Sequence, residues 1–390
     1  MRVSRSDVPT QALLTLVLGL AEFARGALVV ALLADYVTGP LAAPLTVVGW
    51  ALAVHYLLDT LFRGPSGWVV DRVGPARVLT LGLAFEVVAF VGLMNAHHVF
   101  WVVFWVGFLG IGTATHWPAV VTGTNRLSRQ GSRASSMSLV FAAWLAGAGL
   151  GPMVINFLMA GRDRLAFLVL VAVDVAAWLL TLIIRNERLE PRHRVRHPLG
   201  QWGSTLWPFR YILPGMFLQN LTLGLLLPIL EPYVNRVLKL SHLQFAELLI
   251  FAGALTVLLL WPMGRITDRY GQRLPLIGGF FVAGATLVLL AFTRPFYAVA
   301  LLAGILGFSY AMILPSWNAF LARLVPRSIE GWHWGMFMTI EGLGMAVGPI
   351  VGTRLFELAV WVPFVFSAAV LLMMGTFYWM FPFDAYWRVK

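Results

Sequence analysis

Two pairs of ionisable residues interrupt long apolar stretches of this chain. Glu22 and Arg25 stand three apart, and His55 and Asp59 four apart, so each pair shares one face if its stretch is helical. A charge inside a bilayer costs roughly 2.5–3.5 kcal/mol on insertion scales, so such groups face a cavity or a partner. A carboxylate that loses its partner in a dry cavity takes up a proton, which makes Glu22 and Asp59 candidate proton carriers, with His55 beside them. The same spacing also fits buried ion pairs that only fix helix packing. His55 and His116 can titrate near neutral pH or serve as hydrogen-bonded packing residues. Glu86 and Asp174 read as structural. Trp117 and Trp144 lie deep in apolar runs. A flat indole there can cover the apolar face of a sugar ring, or it can simply pack helices together. Trp317 and Trp334 read as packing. No His/Asp/Glu spacing resembles a metal site, no nucleophile–base set is visible, and the absence of cysteine excludes thiol chemistry. The expectation is a non-enzyme without metal or cofactor.

The elements that must hold these residues are membrane helices. Of the 390 residues, 59% are hydrophobic and only 12% charged, where a soluble chain carries about a quarter. The apolar residues fall in twelve runs of roughly 20 or more, each long enough to cross a ~30 Å hydrocarbon core. Helices satisfy the backbone within each segment, and the alternation of a β-barrel is absent. A net charge of +11 invites a nucleic-acid reading. The distribution opposes it, because most Lys and Arg sit at the termini and in every second loop. That pattern puts both termini and the long central loop in the cytoplasm. The basic N-terminus followed by an apolar run reads as a retained first span, since the run is too long for a signal peptide and contains Glu22 and Arg25.

The segment Gly67-Trp68-Val69-Val70-Asp71-Arg72-Val73-Gly74 returns 197 residues later as Gly264-Arg265-Ile266-Thr267-Asp268-Arg269-Tyr270-Gly271. Each copy reads as a charged turn between two spans. The same offset relates Pro65 to Pro262, Gly110 to Gly307, Pro118 to Pro315, Arg126 to Arg323, Gly147 to Gly344, Gly151 to Gly348 and Pro152 to Pro349. A constant offset over this length marks a parallel duplication. The expected organisation is one six-helix unit over 1–185, a basic linker over 186–208, and a second six-helix unit over 209–390. The repeated Gly-x-x-x-Asp-Arg-x-Gly core resembles the signature loop of the major facilitator superfamily, though each copy keeps one basic residue in its tail where the family has two. The resemblance implies an all-α polytopic fold of twelve transmembrane helices, two pseudo-symmetric bundles and alternating access. Asp71, Arg72 and Arg126, with Asp268, Arg269 and Arg323, then form the expected gate: carboxylates meeting cations or a helix N-terminus hold one face closed.

The ionisable residues within the membrane break the repeat. In the 197 register Glu22 meets Gln219, Arg25 meets Thr222, His55 meets Ala252, Asp59 meets Thr256, Glu86 meets Ala283, His116 meets Ile313 and Asp174 meets Leu371. The second half has its own acids in Glu231, Glu247 and Glu341. One wall is therefore expected to be polar and the other more apolar. Within the superfamily, Glu22-Phe23-Ala24-Arg25-Gly26, His55 with Asp59, Trp117, Trp144, the run Leu314–Arg323, Trp334-Gly335 and Gly342–Pro349 resemble the bacterial flippases that export the glycolipid anchor of lipoteichoic acid. That resemblance implies proton-coupled movement of a diacylglycerol-linked disaccharide across the plasma membrane; the expected working unit is a monomer. The resemblance also implies that Glu22, Arg25, Asp59, Trp117 and Trp144 line the head-group cavity. The alternative is a proton-coupled exporter of small amphipathic compounds.

Overall fold

The computed structural model describes residues 7–128, 133–159, 163–184, 207–324 and 330–381. Nearly all of them are helical. In chain order the first half holds α1 (Asp7–Ala27), continued through a π-helical turn (Leu28–Leu32) into α2 (Leu33–Thr38). There follow α3 (Thr46–Val73), α4 (Pro75–Met94), α5 (Val99–Thr113), α6 (His116–Leu127), α7 (Arg133–Met159) and α8 (Asp163–Ile183). The second half holds α9 (Leu213–Pro232) with a π turn (Tyr233–Val237), α10 (His242–Tyr270), α11 (Arg273–Phe292), α12 (Phe296–Leu324), α13 (Glu330–Leu358) and α14 (Val362–Met380). Eleven helical segments are long and apolar enough to span a membrane. The twelfth crossing is α3, whose 28 residues carry His55, Asp59, Arg63, Asp71 and Arg72. The linker expected over 186–208 lies outside the described residues up to 206; Trp207–Phe209 form one 3-10 turn.

Local chemistry sets the helix ends. Pro75 and Pro363 start α4 and α14, where the missing N–H leaves no bond unmade. Ser241 and Gln244 form a reciprocal capping box at the start of α10. The repeated charged segment is the final turns of a helix, which corrects its reading as a turn: α3 runs to Val73 and α10 to Tyr270. The chain reverses at one residue in each copy, Gly74 (φ 90°) and Gly271 (φ 84°). A Cβ is disfavoured there, so Gly74→Ala or Gly271→Ala is expected to cost about 1–3 kcal/mol, visible as a lower Tm in detergent.

The two halves pack by one plan. In the first, α1 lies on α7, α3 on α5 and α4 on α8; in the second, α9 lies on α13, α10 on α12 and α11 on α14. Glycines set the closest approaches. A Cβ on Gly110 would strike the His55 carbonyl oxygen, and one on Gly307 the Ala252 carbonyl oxygen, 197 residues on in both partners. The first helix keeps a different register. Gly147 abuts Gly19 and Gly344 abuts Phe217; Gly151 abuts Phe23 and Gly348 abuts Leu221; Gly26 abuts Ala148 and Gly224 abuts Met345. In that helix the offset is 198. Glu22 therefore corresponds to Asn220 and Arg25 to Leu223, not to Gln219 and Thr222. The π turn at Leu28–Leu32 accounts for the slip by adding one residue to the first-half helix. Beyond it the 197 offset returns, with Tyr36 matched to Tyr233. Each of these hydroxyls donates to a carbonyl at the end of the third crossing, Tyr36 to Ala96 at 2.9 Å and Tyr233 to Leu290 at 2.7 Å.

The halves meet where α3 crosses α13 and α7 crosses α10. Thr353 closes on Gly49, Thr60 on Gly342 and Met153 on Gly253. Toward the end that carries the repeated segments the halves part: Gly64, Gly264 and Gly335 have no heavy atom within 4 Å of a would-be Cβ. Among the described residues, the buried core at that end of the first half (Leu14, Val70, Leu79, Val120) includes no residue of the second half, so the cleft between the halves opens on the face of the two Asp-Arg segments.

Candidate functional site

At the apex of this cleft, α1 and α3 bring the sequence-nominated ionisable residues together. Arg25 donates from Nε to Glu22 Oε2 at 2.9 Å, the i,i+3 pairing expected of a helix. Burial makes this pair consequential, because a low-dielectric setting strengthens the attraction and penalises an unpaired partner. Glu22 is 4% exposed. Tyr56 and Asp59 on α3 are close enough to Arg25 to act on it electrostatically. Asp59 in turn accepts from Arg63, one turn along, at 2.5 Å. His55 is buried with Nδ1 3.1 Å from the Val106 carbonyl oxygen, while Nε2 has no hydrogen-bond partner among the described residues. The site is thus two carboxylates, two guanidinium groups and a phenol, held on two helices of one half.

Tyr56 and Arg63 were not singled out from sequence. Arg63 was legible: it stands four residues after Asp59, as Asp59 does after His55. Tyr56 carries no spacing signal, because its role depends on how α3 turns toward α1.

The membrane spans of the second half carry fewer ionisable residues than those of the first. That half offers Glu341 on α13, which accepts from Trp317 Nε1 at 3.1 Å and feels the charge of Arg63 across the interface. Trp317→Phe removes that donor and is expected to cost about 1 kcal/mol, read as a Tm lowered by a few degrees with the helical signal intact. Glu231 lies at the closed end instead, hydrogen-bonded to Asn235, which also meets His242 at 3.2 Å.

Trp117 and Trp144 pack edge to face, centroids 6.4 Å apart, and Trp117 meets Phe141 at 5.1 Å. Both are half-buried, so they pair with each other yet keep surface to offer. The gate residues divide by copy. Arg126 donates to Asp71 at 3.3 Å within the first half, and Arg72 stacks 3.6 Å over Trp68. In the second half Asp268 and Arg269 are exposed and Arg265 stacks 3.7 Å over Trp261. The side chains of Arg323 and Trp334 lie outside the described residues.

Glu86, His116 and Asp174 converge from three helices. His116 Nε2 is 3.0 Å from Glu86 Oε1, and the Asp174 carboxyl is close enough to Glu86 to act on it electrostatically. No metal-holding group of three or more His, Cys, Asp or Glu occurs among the described residues.

The Major Facilitator Superfamily model matches residues 14–208 and 212–386. Among curated relatives, the chain is 27% identical over 375 residues to the proton-coupled antiporter flippase LtaA of Staphylococcus saprophyticus, covering 94% of this chain and 92% of that protein. The protein of the same name from Staphylococcus haemolyticus is 26% identical over 383 residues, with the same coverage. Among solved structures, the nucleoside transporter NupG superposes with a TM-score of 0.79 at 14% identity, covering 95% of this chain and 99% of that one. The human organic anion transporter MFSD10 gives a TM-score of 0.68 at 16% identity, covering 96% and 100%. With its duplicated six-helix plan, its paired Gly-x-x-x-Asp-Arg-x-Gly segments and this full-length match, the chain belongs to the Major Facilitator Superfamily.

Proposed function

We propose that this chain is a secondary active transporter that flips a glycolipid across the bacterial plasma membrane by proton-coupled alternating access. The observation that carries the reading is the ionic set Glu22–Arg25 and Asp59–Arg63 at the apex of a cleft whose other wall comes from the half with fewer ionisable residues in its spans. An amphiphile needs such a division, with a sugar head group bonded by charged donors and acceptors and its acyl tails against apolar surface. The nearly full-length similarity to proteins named proton-coupled antiporter flippases supports the same cargo and coupling. Glu22 and Asp59 exchange partners between cation, head-group hydroxyl and proton, with His55 beside them. Trp117 and Trp144 offer indole faces to a sugar ring. Asp71 with Arg126, and Asp268 and Arg269 with Arg323, latch the open face when it closes. The energy source is the proton gradient, no cofactor is used and no bond is made or broken. The working unit is a monomer, with both termini and the 186–208 linker in the cytoplasm, where the open cleft faces.

The test is flipping in liposomes that carry a fluorescent glycosyl-diacylglycerol, with and without a pH gradient. Gradient-stimulated flipping is expected. No flipping under either condition, alongside gradient-driven efflux of a soluble amphipathic dye, reassigns the protein to small-molecule export.

A further inference from the structure

The head-group site leaves a second buried polar cluster in the same half unused. Glu86, His116 and Asp174 are 1%, 2% and 0% exposed. They come from α4, α6 and α8, and each sits roughly 14–17 Å along its helix from the face that bears the Asp-Arg segments, at 1.5 Å per residue. The three therefore share one depth near the bilayer centre. Space for them is built in. A Cβ on Gly112 would lie 2.6 Å from Glu86 Cγ, so that glycine admits the glutamate against α5. The crossing that carries His116 tightens at Ala114-Thr115, between α5 and α6, where Thr115 N–H donates to the Gly112 carbonyl at 3.0 Å while both residues keep right-handed helical dihedrals.

Proton counting gives the cluster its chemistry. Neither oxygen of Asp174 or Glu86 has a hydrogen-bond donor among the described residues, apart from the close approach of His116 Nε2 to Glu86. Two carboxylates buried close together disfavour each other's charge, an arrangement that favours a shared proton. The imidazole beside them gives the cluster a second protonation state at little rearrangement. The remaining titratable or charged groups coupled to His116 are Glu22 and Arg25 from α1 and His55 from α3. α5 supplies none, the one charged residue of α6 is Arg126 at its far end, Asp163 and Arg164 stand at the far end of α8, and α3 contributes His55, Asp59 and Arg63 on the head-group side.

We propose that Glu86, His116 and Asp174 form a proton store behind the head-group site, with His116 as the member that communicates with Glu22. When Glu22 is paired with Arg25, the store holds the proton. When substrate engages Arg25 and Glu22 is released, the proton leaves protonated His116 for the Glu22 carboxylate, so the imidazole becomes neutral and Glu22 a neutral acid. This assignment deepens the proposed proton coupling and rests on it.

The test uses Glu86→Gln, Asp174→Asn and His116→Gln in the full-length protein in liposomes. Three readings are taken: exchange of fluorescent glycosyl-diacylglycerol without a pH gradient, its stimulation by a gradient, and the pH profile of exchange. The expected result is exchange within about twofold of wild type, with the gradient-stimulated component lowered at least about tenfold and the pH profile flattened. Wild-type stimulation and pH profile in all three variants overturn the proposal and leave the transport reading intact. Equal loss of exchange and stimulation, or failure of all three isosteric variants to fold by thermal melting, also overturns it, because the cluster is then a packing element. Absence of gradient stimulation in wild type instead overturns the proposed coupling itself.

Discussion

Glu22→Gln reduces gradient-driven flipping to the level of protein-free liposomes while the helical content stays unchanged. The substitution keeps the shape and one hydrogen bond to Arg25 but removes the charge and the titrating oxygen. Arg25 is then a buried cation whose remaining favourable neighbours are Tyr56 and Asp59. Breaking a buried pair by neutralising one partner costs about 3–5 kcal/mol, and the low end applies here because those neighbours remain. Asp59→Asn is expected to abolish gradient-driven flipping as fully but to lower the Tm less. Its partner Arg63 is 32% exposed on its side chain and keeps Glu341 across the cleft. The two measurements, flipping and melting, thus separate a coupling role from a packing role. Equal gradient-driven flipping by wild type and both variants rules out the assignment of these carboxylates.

Gly110→Val and Gly307→Val are expected to be strongly destabilising, a matched pair among the close glycine contacts of the two halves. Each glycine lets α5 or α12 lie directly on a carbonyl of the neighbouring helix, at His55 and Ala252. A backbone carbonyl inside a helix cannot turn aside, so the helices must separate. The loss is expected to exceed about 3 kcal/mol, beyond the usual range for overpacking, and to appear as loss of monodisperse protein on extraction. Gly64→Ala and Gly264→Ala supply the opposite sign. A new methyl group there meets nothing within 4 Å. Each change raises helix propensity by about 0.5–1 kcal/mol. A pattern in which all four changes behave alike would remove the glycine argument.

The duplication, the membrane helices and the polarity difference between the halves were legible in the sequence, because each is carried by residue type at fixed spacing. Gly67–Gly74 was misread as a turn because charge and glycine signal a loop in water. At the end of α3 those charges stay on a helix, and only Gly74 leaves it. The 198 offset of α1 was not legible, since a π turn is a backbone event with no composition of its own. Glu22 with Arg25 was legible from an i,i+3 spacing. Glu86, His116 and Asp174 were not, because their meeting depends on the rotation of three helices about their own axes. Read one at a time, each had the profile of a packing residue. Sequence can nominate a polar face on one helix, but a site shared among helices is fixed by packing.

The π turn at Leu28–Leu32 has a practical consequence for recombining the halves. It acts as a phase adjuster: one surplus residue rotates everything before it by about 100°, a little over a quarter of a turn, relative to an uninterrupted α-helix. A chimera cut before residue 28 must therefore be joined to the second half at a distance of 198, and one cut after residue 32 at 197. A splice made with the wrong distance turns Glu22 and Arg25 away from α3 while leaving every span hydrophobic, so the product inserts normally and carries its charges to the wrong neighbour.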